Sequence, residues 1–339
     1  MRWCCLTLLP ALAASVSVSL ASWNVYYKAL DDPHGRAAIV SAIDAAGALD
    51  FVAVIEAAGD SPDGALAAWS NASNTLSGMR SLTTVSRYET LALFFDDARW
   101  TPGHVSAGSF DVGRPYLLAP FSSRAQPQVV VWVFAVHLPH FLDTTVDPGA
   151  IMAQALRNAT AFPPFVEPTN VVLAGDWNEF QWEDNPCPQP IYPHNCRALA
   201  AQRMSALWDG YFAGQASDHV PEHSVTCCTK WAPADRGTTD YVEWRFECAA
   251  ASPRPSPHPV TSASCTTAIS HPGCGRYDHI FVAGNLSGPP ATELAYAYPG
   301  VAQACSDPYC TGEDPPGNVT ALYQGSWHRG WAVNLTVTV

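Results

Sequence analysis

The sequence predicts an α/β (α+β) protein organised as one large domain, and three observations carry that expectation. Short apolar runs such as "LDFVAVIE", "VVVWVFAVH" and "NVVLAG" read as buried strands. Between them lie stretches whose apolar residues recur at helical spacing. The chain is also long enough, at 339 residues, with 48% hydrophobic content and 12 Trp, to bury a sizeable core.

Taken in order, Ser15 to Leu20 alternates Ser with Val and Leu, which suits a first strand with Val16, Val18 and Leu20 on one face. Ile39, Ile43 and Ala46 then follow Gly35 at helical spacing, and "LDFVAVIE" is a strand ending at Glu56. "TLALFF" and "VVVWVFAVH" are two more strands, the second ending at His137. Asp147-Pro148 is a helix start, with Ile151, Ala155 and Leu156 facing inward before the break at Pro163-Pro164. "NVVLAG" runs into Asp176, and Asp176 and Asn178 stand two apart, which on a regular strand puts both side chains on one side. From about 180 to 275 the regular pattern fails, and a Cys- and Pro-rich insertion is expected there, including the Pro-rich loop "ASPRPSPHPV". Regular structure resumes at "RYDHIFVAG" and finishes in "WAVNLTVTV", where Trp331, Val333, Leu335 and Val337 alternate with other residues. Helix–strand alternation alone fits either a parallel doubly wound sheet or a sandwich of sheets.

The N-terminus has Arg2, an apolar run from about Leu6 to Ala13 and small residues at Ala11 and Ala13, as secretory signals do. Residues 1–13 are therefore expected to be a signal peptide and 14–339 the domain, with a secreted product. No later stretch of sequence is long and apolar enough to span a membrane. Five Asn-X-Ser/Thr motifs, at Asn71, Asn158, Asn285, Asn318 and Asn334, are compatible with a glycoprotein. Of eleven cysteines, nine remain after Cys4 and Cys5, all from Cys187 onward, so disulfides are expected in the C-terminal half. A net charge of −13 with only two lysines, Lys28 and Lys230, argues against a protein that holds nucleic acid by broad phosphate neutralisation. It does not exclude an enzyme that engages one phosphate through a metal ion.

Polar groups collect at strand ends: Asn24 in "SWNV", Glu56, His137, Asp176 with Asn178, Asp278 in "YDHI" and His328 in "SWHRGWAV". Carboxylates with an amide oxygen suit a hard divalent ion, and histidines suit proton transfer near neutral pH. Together they fit hydrolysis of a phosphate ester. Two blander readings remain open. Asp176 and Asn178 could form an Asx turn, and "HLPH" could make a zinc pair of His137 and His140, for which no third ligand is evident.

In their order, "SWNV", "DFVAVIE", "RYETLALFF", "AVHLPH", "GDWN", "YDHIFVAG" and "SWHRGWAV" resemble the motifs of the endonuclease/exonuclease/phosphatase superfamily, in its deoxyribonuclease I-like form. The resemblance covers most of the chain outside the insertion. It implies a four-layer sandwich: two packed, mainly antiparallel sheets flanked by helices. It further implies that Glu56, assisted by Asn24, binds a divalent metal, magnesium or else manganese or calcium. Glu89 would pair with His137 and Asp278 with His328, on either side of the scissile phosphate. Asp176 and Asn178 would position water and phosphate oxygens, and Arg114 in "GRPY" is a candidate phosphate contact, since a guanidinium donates two parallel bonds.

One position departs from the pattern. The family usually ends in Ser-Asp-His, whereas this chain has Ser326-Trp327-His328, and an indole cannot ligate magnesium. A literal Ser217-Asp218-His219 lies earlier and reads as loop sequence, with Asp218 a conceivable substitute carboxylate. His279 is expected on the opposite face from Asp278. The leading expectation is a secreted, metal-dependent phosphodiesterase acting on nucleic acid. The alternatives are a sphingomyelinase- or phosphoinositide phosphatase-like hydrolase, or a non-catalytic binding protein on the same scaffold.

Overall fold

The computed structural model describes residues 15–25, 33–58, 64–87, 89–110, 113–139, 146–178, 196–221, 227–230, 272–275, 278–294 and 330–338. The expected signal peptide, His140, the Pro-rich loop, Trp327 and His328 lie outside the described residues.

In chain order the first elements are β1 (Ser15–Asn24), α1 (Pro33–Ala45), β2 (Phe51–Ala58), α2 (Ala65–Ala72), α3 (Asn74–Ser77), β3 (Arg80–Val85) and β4 (Thr90–Phe95). There follow β5 (Trp100–Pro102), β6 (Ser106–Ser109), β7 (Pro115–Ser123), β8 (Val130–His137), α4 (Pro148–Ala159) and β9 (Val171–Asp176). The remainder comprises α5 (Cys196–Trp208), β10 (Ser217–Asp218), β11 (Cys227–Lys230), β12 (Pro272–Gly275), β13 (Asp278–Ala283), β14 (Leu286–Ser287), β15 (Thr292–Glu293) and β16 (Trp331–Thr338).

Among the described residues these strands form two seven-stranded sheets and a small β11–β12 pair. The first sheet runs β14-β16-β1-β2-β4-β3, with β15 on β16; the second runs β10-β13-β9-β8-β7-β5, with β6 on β7. Each sheet contains one parallel pair, β1 with β2 and β8 with β9, crossed over through α1 and α4. Neighbouring pairs such as β1–β16, β2–β4, β7–β8 and β9–β13 are antiparallel. The helix–strand alternation of the sequence is therefore real, but it makes two βαβ units in separate sheets rather than one parallel sheet.

Burial follows the period-two pattern of the strands. Val16, Val18 and Leu20 of β1, Phe51, Ala53 and Ile55 of β2, and Trp331, Val333, Leu335 and Val337 of β16 point inward from the first sheet. They meet Val131, Val133 and Ala135 of β8, Val172 and Ala174 of β9, and Ile280 and Val282 of β13. Fully burying a Val, Leu, Ile or Phe side chain contributes roughly 1.5–3 kcal/mol, so this layer is a large part of the fold's stability. The other faces carry helices: Ile39 and Ile43 of α1 and Trp69 of α2 on the first sheet, Met152 and Leu156 of α4 and Leu207 of α5 on the second. The result is the four-layer sandwich implied by the resemblance.

Helix α4 starts where Asp147-Pro148 indicates, with the Asp147 carboxylate accepting from Ala150 N at 2.9 Å. Ala155 and Leu156 are buried, and Ile151 packs partly buried beside them. The segment read as irregular contributes α5. Met204, Leu207 and Trp208 of α5, at helical spacing, pack into the same layer as α4. Among the described residues no helix is long and apolar enough to cross a membrane.

Candidate active site

Strand alternation carries five polar side chains to one end of the space between the sheets. On β1 the inward set of Val16, Val18 and Leu20 continues in phase to Asn24, which is 1% exposed. Leu91, Leu93 and Phe95 of β4 face inward, and Glu89, one residue before that strand, keeps the phase. In the second sheet the same count takes Val131, Val133 and Ala135 on to His137, Val172 and Ala174 on to Asp176, and Ile280 and Val282 back to Asp278. Pairing then sets three of them in a row, because His137 lies opposite Asp176 and Asp176 opposite Asp278. His137, Asp176 and Asp278 are all buried.

Glu56 arrives by a different route. Alternation after Phe51, Ala53 and Ile55 would turn it towards the helices, yet β2 carries an irregularity between Val54 and Ala58 against β4, and Glu56 has φ 55°. A non-glycine residue in the left-handed region is uncommon, and a bulge is a means of re-aiming one side chain. Here it brings Glu56 Oε1 within 3.2 Å of Asn24 Nδ2. Periodicity on its own would have misplaced this residue.

The close approach of β8 and β9 depends on Gly175, at φ 147° opposite Val136. A Cβ there would collide with the Val136 carbonyl oxygen. The glycine of "GDWN" thus lets His137 and Asp176 stand side by side, with His137 Nε2 at 3.3 Å from Asp176 Oδ2.

His137 is the hub. Its Nδ1 lies 2.7 Å from Glu89 Oε1 and 3.8 Å from Glu56 Oε1, across the gap between the sheets. Burial and the nearby Arg114 guanidinium oppose a charge on this imidazole, but the carboxylates of Glu89 and Asp176 outweigh both, and its pKa is pushed up to about 9. In the metal-free protein these carboxylates therefore favour the charged, proton-donating form of the ring near neutral pH. Asp176 Oδ2 also accepts from Asn24 Nδ2 at 2.8 Å.

Asn178 lies two residues past the end of β9, with φ 43°, so strand alternation does not place it beside Asp176. Its backbone N–H donates to Asp176 Oδ1 at 2.9 Å, which is the Asx turn, and its Nδ2 donates to the Leu138 carbonyl at 2.6 Å. The two readings of "GDWN" are compatible: one oxygen of Asp176 holds the turn while the other faces Asn24 and His137.

Arg114, just before β7, points its Nη1 at Glu89 Oε2 (2.9 Å), Glu56 Oε1 (3.5 Å) and His137 Nδ1 (3.1 Å). Its side chain is about a third exposed, so it stands at the rim of the cluster.

Asp218 does not join the site. It lies opposite Phe281, whose side chain packs on the helix-covered face, and its Oδ2 is 2.6 Å from His279 Nδ1. That places Asp218 on the other side of the sheet from Asp278, which corrects the idea that it replaces a lost carboxylate. His279 is on the opposite face from Asp278, as expected. Trp177 is fully buried, stacked on Trp208 with ring centroids 5.4 Å apart, and Trp331 is buried in the central layer.

Glu56, Glu89 and His137 each offer a donor atom within 4.8 Å of the others, a group able to hold a metal ion. The two carboxylates match a hard divalent ion, whereas a protonated imidazole cannot coordinate, so the fit rests on the oxygens.

No protein-family model and no curated protein sequence matches the chain. Solved structures do match. TDP2 from D. rerio, complexed with a single-strand DNA product, aligns at TM-score 0.53 and 12% identity over 94% of this chain and 98% of that one. An endonuclease/exonuclease/phosphatase from Bacteroides vulgatus gives 0.52 and 12% over 94% and 98%. The human nocturnin catalytic domain with bound sulfate gives 0.50 and 12% over 95% and 97%. At these identities the likeness is one of fold.

Proposed function

With the endonuclease/exonuclease/phosphatase fold as the premise, we propose that this chain is a secreted, divalent-metal-dependent phosphodiesterase whose substrate is nucleic acid. The observation that carries the reading is His137, gripped by one carboxylate from each sheet, Glu89 and Asp176, beside the oxygens of Glu56. A charged proton donor beside a cluster of cation-binding oxygens is what hydrolysis of a phosphodiester needs.

Glu56, with Asn24 bonded to it and Glu89 in reach, would hold the divalent ion, magnesium in this reading. When bound, that ion supplies charge neutralisation for the phosphate oxygens. His137 gives a proton to the leaving oxygen, and Glu89 fixes the ring through Nδ1. Asp176, held by Asn24 and the turn at Asn178, orients the attacking water. Arg114 contacts the phosphate. Asp278 ends the row beside Asp176, and we assign it as the partner of His328 in the complementary base. Trp327, where the family usually has Asp, would leave the metal held chiefly by Glu56 and its neighbours.

Two observations support the finer parts. The DNA product in the D. rerio TDP2 structure supports nucleic acid as the substrate class. The leader-like N-terminus supports secretion, and we assign 14–339 as the mature domain, with 180–275 as its insertion.

Plasmid cleavage in magnesium, compared with His137→Ala and His328→Ala, tests the reading. Cleavage that both substitutions abolish is expected. Unchanged cleavage in both variants overturns the mechanism, and no cleavage of DNA, RNA or a synthetic phosphodiester with any divalent ion favours a binding protein instead.

A further inference from the structure

We infer that Arg114 and the divalent ion compete for the carboxylates of Glu56 and Glu89, so that loading the ion frees Arg114 for the substrate phosphate and couples the two binding events. The inference rests on the function proposed above.

The geometry points to it because one guanidinium nitrogen, Nη1, serves both carboxylates, at 2.9 Å from Glu89 Oε2 and 3.5 Å from Glu56 Oε1. These are the residues whose oxygens belong to the candidate metal group. A divalent ion seated there repels the guanidinium and takes over the charge that holds it. The same nitrogen also lies 3.1 Å from His137 Nδ1, which is itself 2.7 Å from Glu89 Oε1, so guanidinium and imidazole share the charge of that carboxylate.

Position makes the exchange feasible. Glu56 and Glu89 side chains are 13% and 4% exposed, while that of Arg114 is 35% exposed, so Arg114 is the most solvent-accessible of the three. Its backbone is pinned, since Phe110 N donates to the Arg114 carbonyl at 2.7 Å and Gly113 N to the Phe110 carbonyl at 2.8 Å. The long side chain can therefore swing while its root stays beside the metal group. Displaced from the glutamates, a planar guanidinium near the ion is placed to donate two parallel bonds to a phosphate. Coupling of this kind is reciprocal, so phosphate must tighten metal binding as much as metal tightens phosphate binding.

The test is Mn2+ binding by calorimetry, without turnover, on the unsubstituted protein, Arg114→Ala and Arg114→Lys. Arg114→Ala should bind Mn2+ about tenfold more tightly, a gain that shrinks at high salt as charge repulsion is screened. Arg114→Lys, which keeps the charge, should stay near the unsubstituted affinity. Inorganic phosphate should strengthen Mn2+ binding in the unsubstituted protein and lose that effect in Arg114→Ala. Equal or weaker Mn2+ binding by Arg114→Ala overturns the competition while leaving the proposed function standing. Failure of every form, including the unsubstituted protein, to bind Mn2+ overturns both. Should Arg114→Ala not fold, Arg114→Gln carries the same comparison.

Discussion

Asn24 of β1 donates its carboxamide N–H to Asp176 of β9 at 2.8 Å, a hydrogen bond that runs from one sheet to the other. The same nitrogen lies 3.2 Å from Glu56 Oε1, so one buried amide spaces two carboxylates that would otherwise repel. Replacing Asn24 with Ala should lower plasmid cleavage by about 10–100-fold, the usual cost of losing a group that orients metal or catalytic ligands. Far-UV circular dichroism should be unchanged. Full activity in Asn24→Ala would show that the amide only fills space.

His137 should make the metal-free protein's stability depend on pH. Its pKa is raised from 6.5 to about 9, so the folded state binds the proton more tightly than the unfolded chain does. The resulting stabilisation is fully present below pH 6.5 and is lost as pH rises through about 9. Urea midpoints measured with a chelator across that window should fall for the unsubstituted protein and fall less for His137→Gln. An identical pH slope in the two would remove Glu89 and Asp176 as the source of the shift.

Gly175→Ala should damage both fold and site. The residue has φ 147°, and its added Cβ meets the Val136 carbonyl, which is backbone and cannot step aside without parting β8 from β9. A loss of about 3 kcal/mol or more is expected from denaturant melts. The surviving folded fraction should cleave poorly, because His137 and Asp176 are opposite each other on those two strands. A stable, active Gly175→Ala would refute the close-approach argument.

Asp50 separates stability from chemistry. It is fully buried, accepts from Ser19 N at 2.8 Å and Trp100 Nε1 at 2.8 Å, and pairs with Arg99, tying β1 of one sheet to β5 of the other. Asp50→Ala leaves the Trp100 and Ser19 donors buried without their acceptor, and should destabilise by about 3–5 kcal/mol. Activity per folded molecule should stay the same, since β2 carries Glu56 at its opposite end. Reduced specific activity at full folding would mean that this contact also shapes the site.

Much of the site was legible because side-chain direction on a strand is a local property. Asn24, Glu89, His137, Asp176 and Asp278 each continue the phase of an apolar run that names its own inner face. Helix α4 was legible for the same reason, through Asp147 and Pro148 at its start. Helix α5 was missed because its helical spacing, Met204, Leu207 and Trp208, is embedded in a Cys- and Pro-rich context. Strand β7 was missed because Pro115 and Pro120 disguise it, although Leu117, Ala119 and Phe121 alternate inward as the other strands do.

By itself, then, the sequence determined which face of each strand is polar at its tip, and the period-two repeat is the reason. Only the tertiary structure decided which of those tips meet. The bulge that turns Glu56 inward depends on how β2 pairs with β4, and the place of Asn178 depends on a turn folded back onto Leu138. The contacts of Arg114 depend on two glutamates from a different sheet. Each is a contact between segments distant along the chain, and such contacts leave no period in the sequence to read.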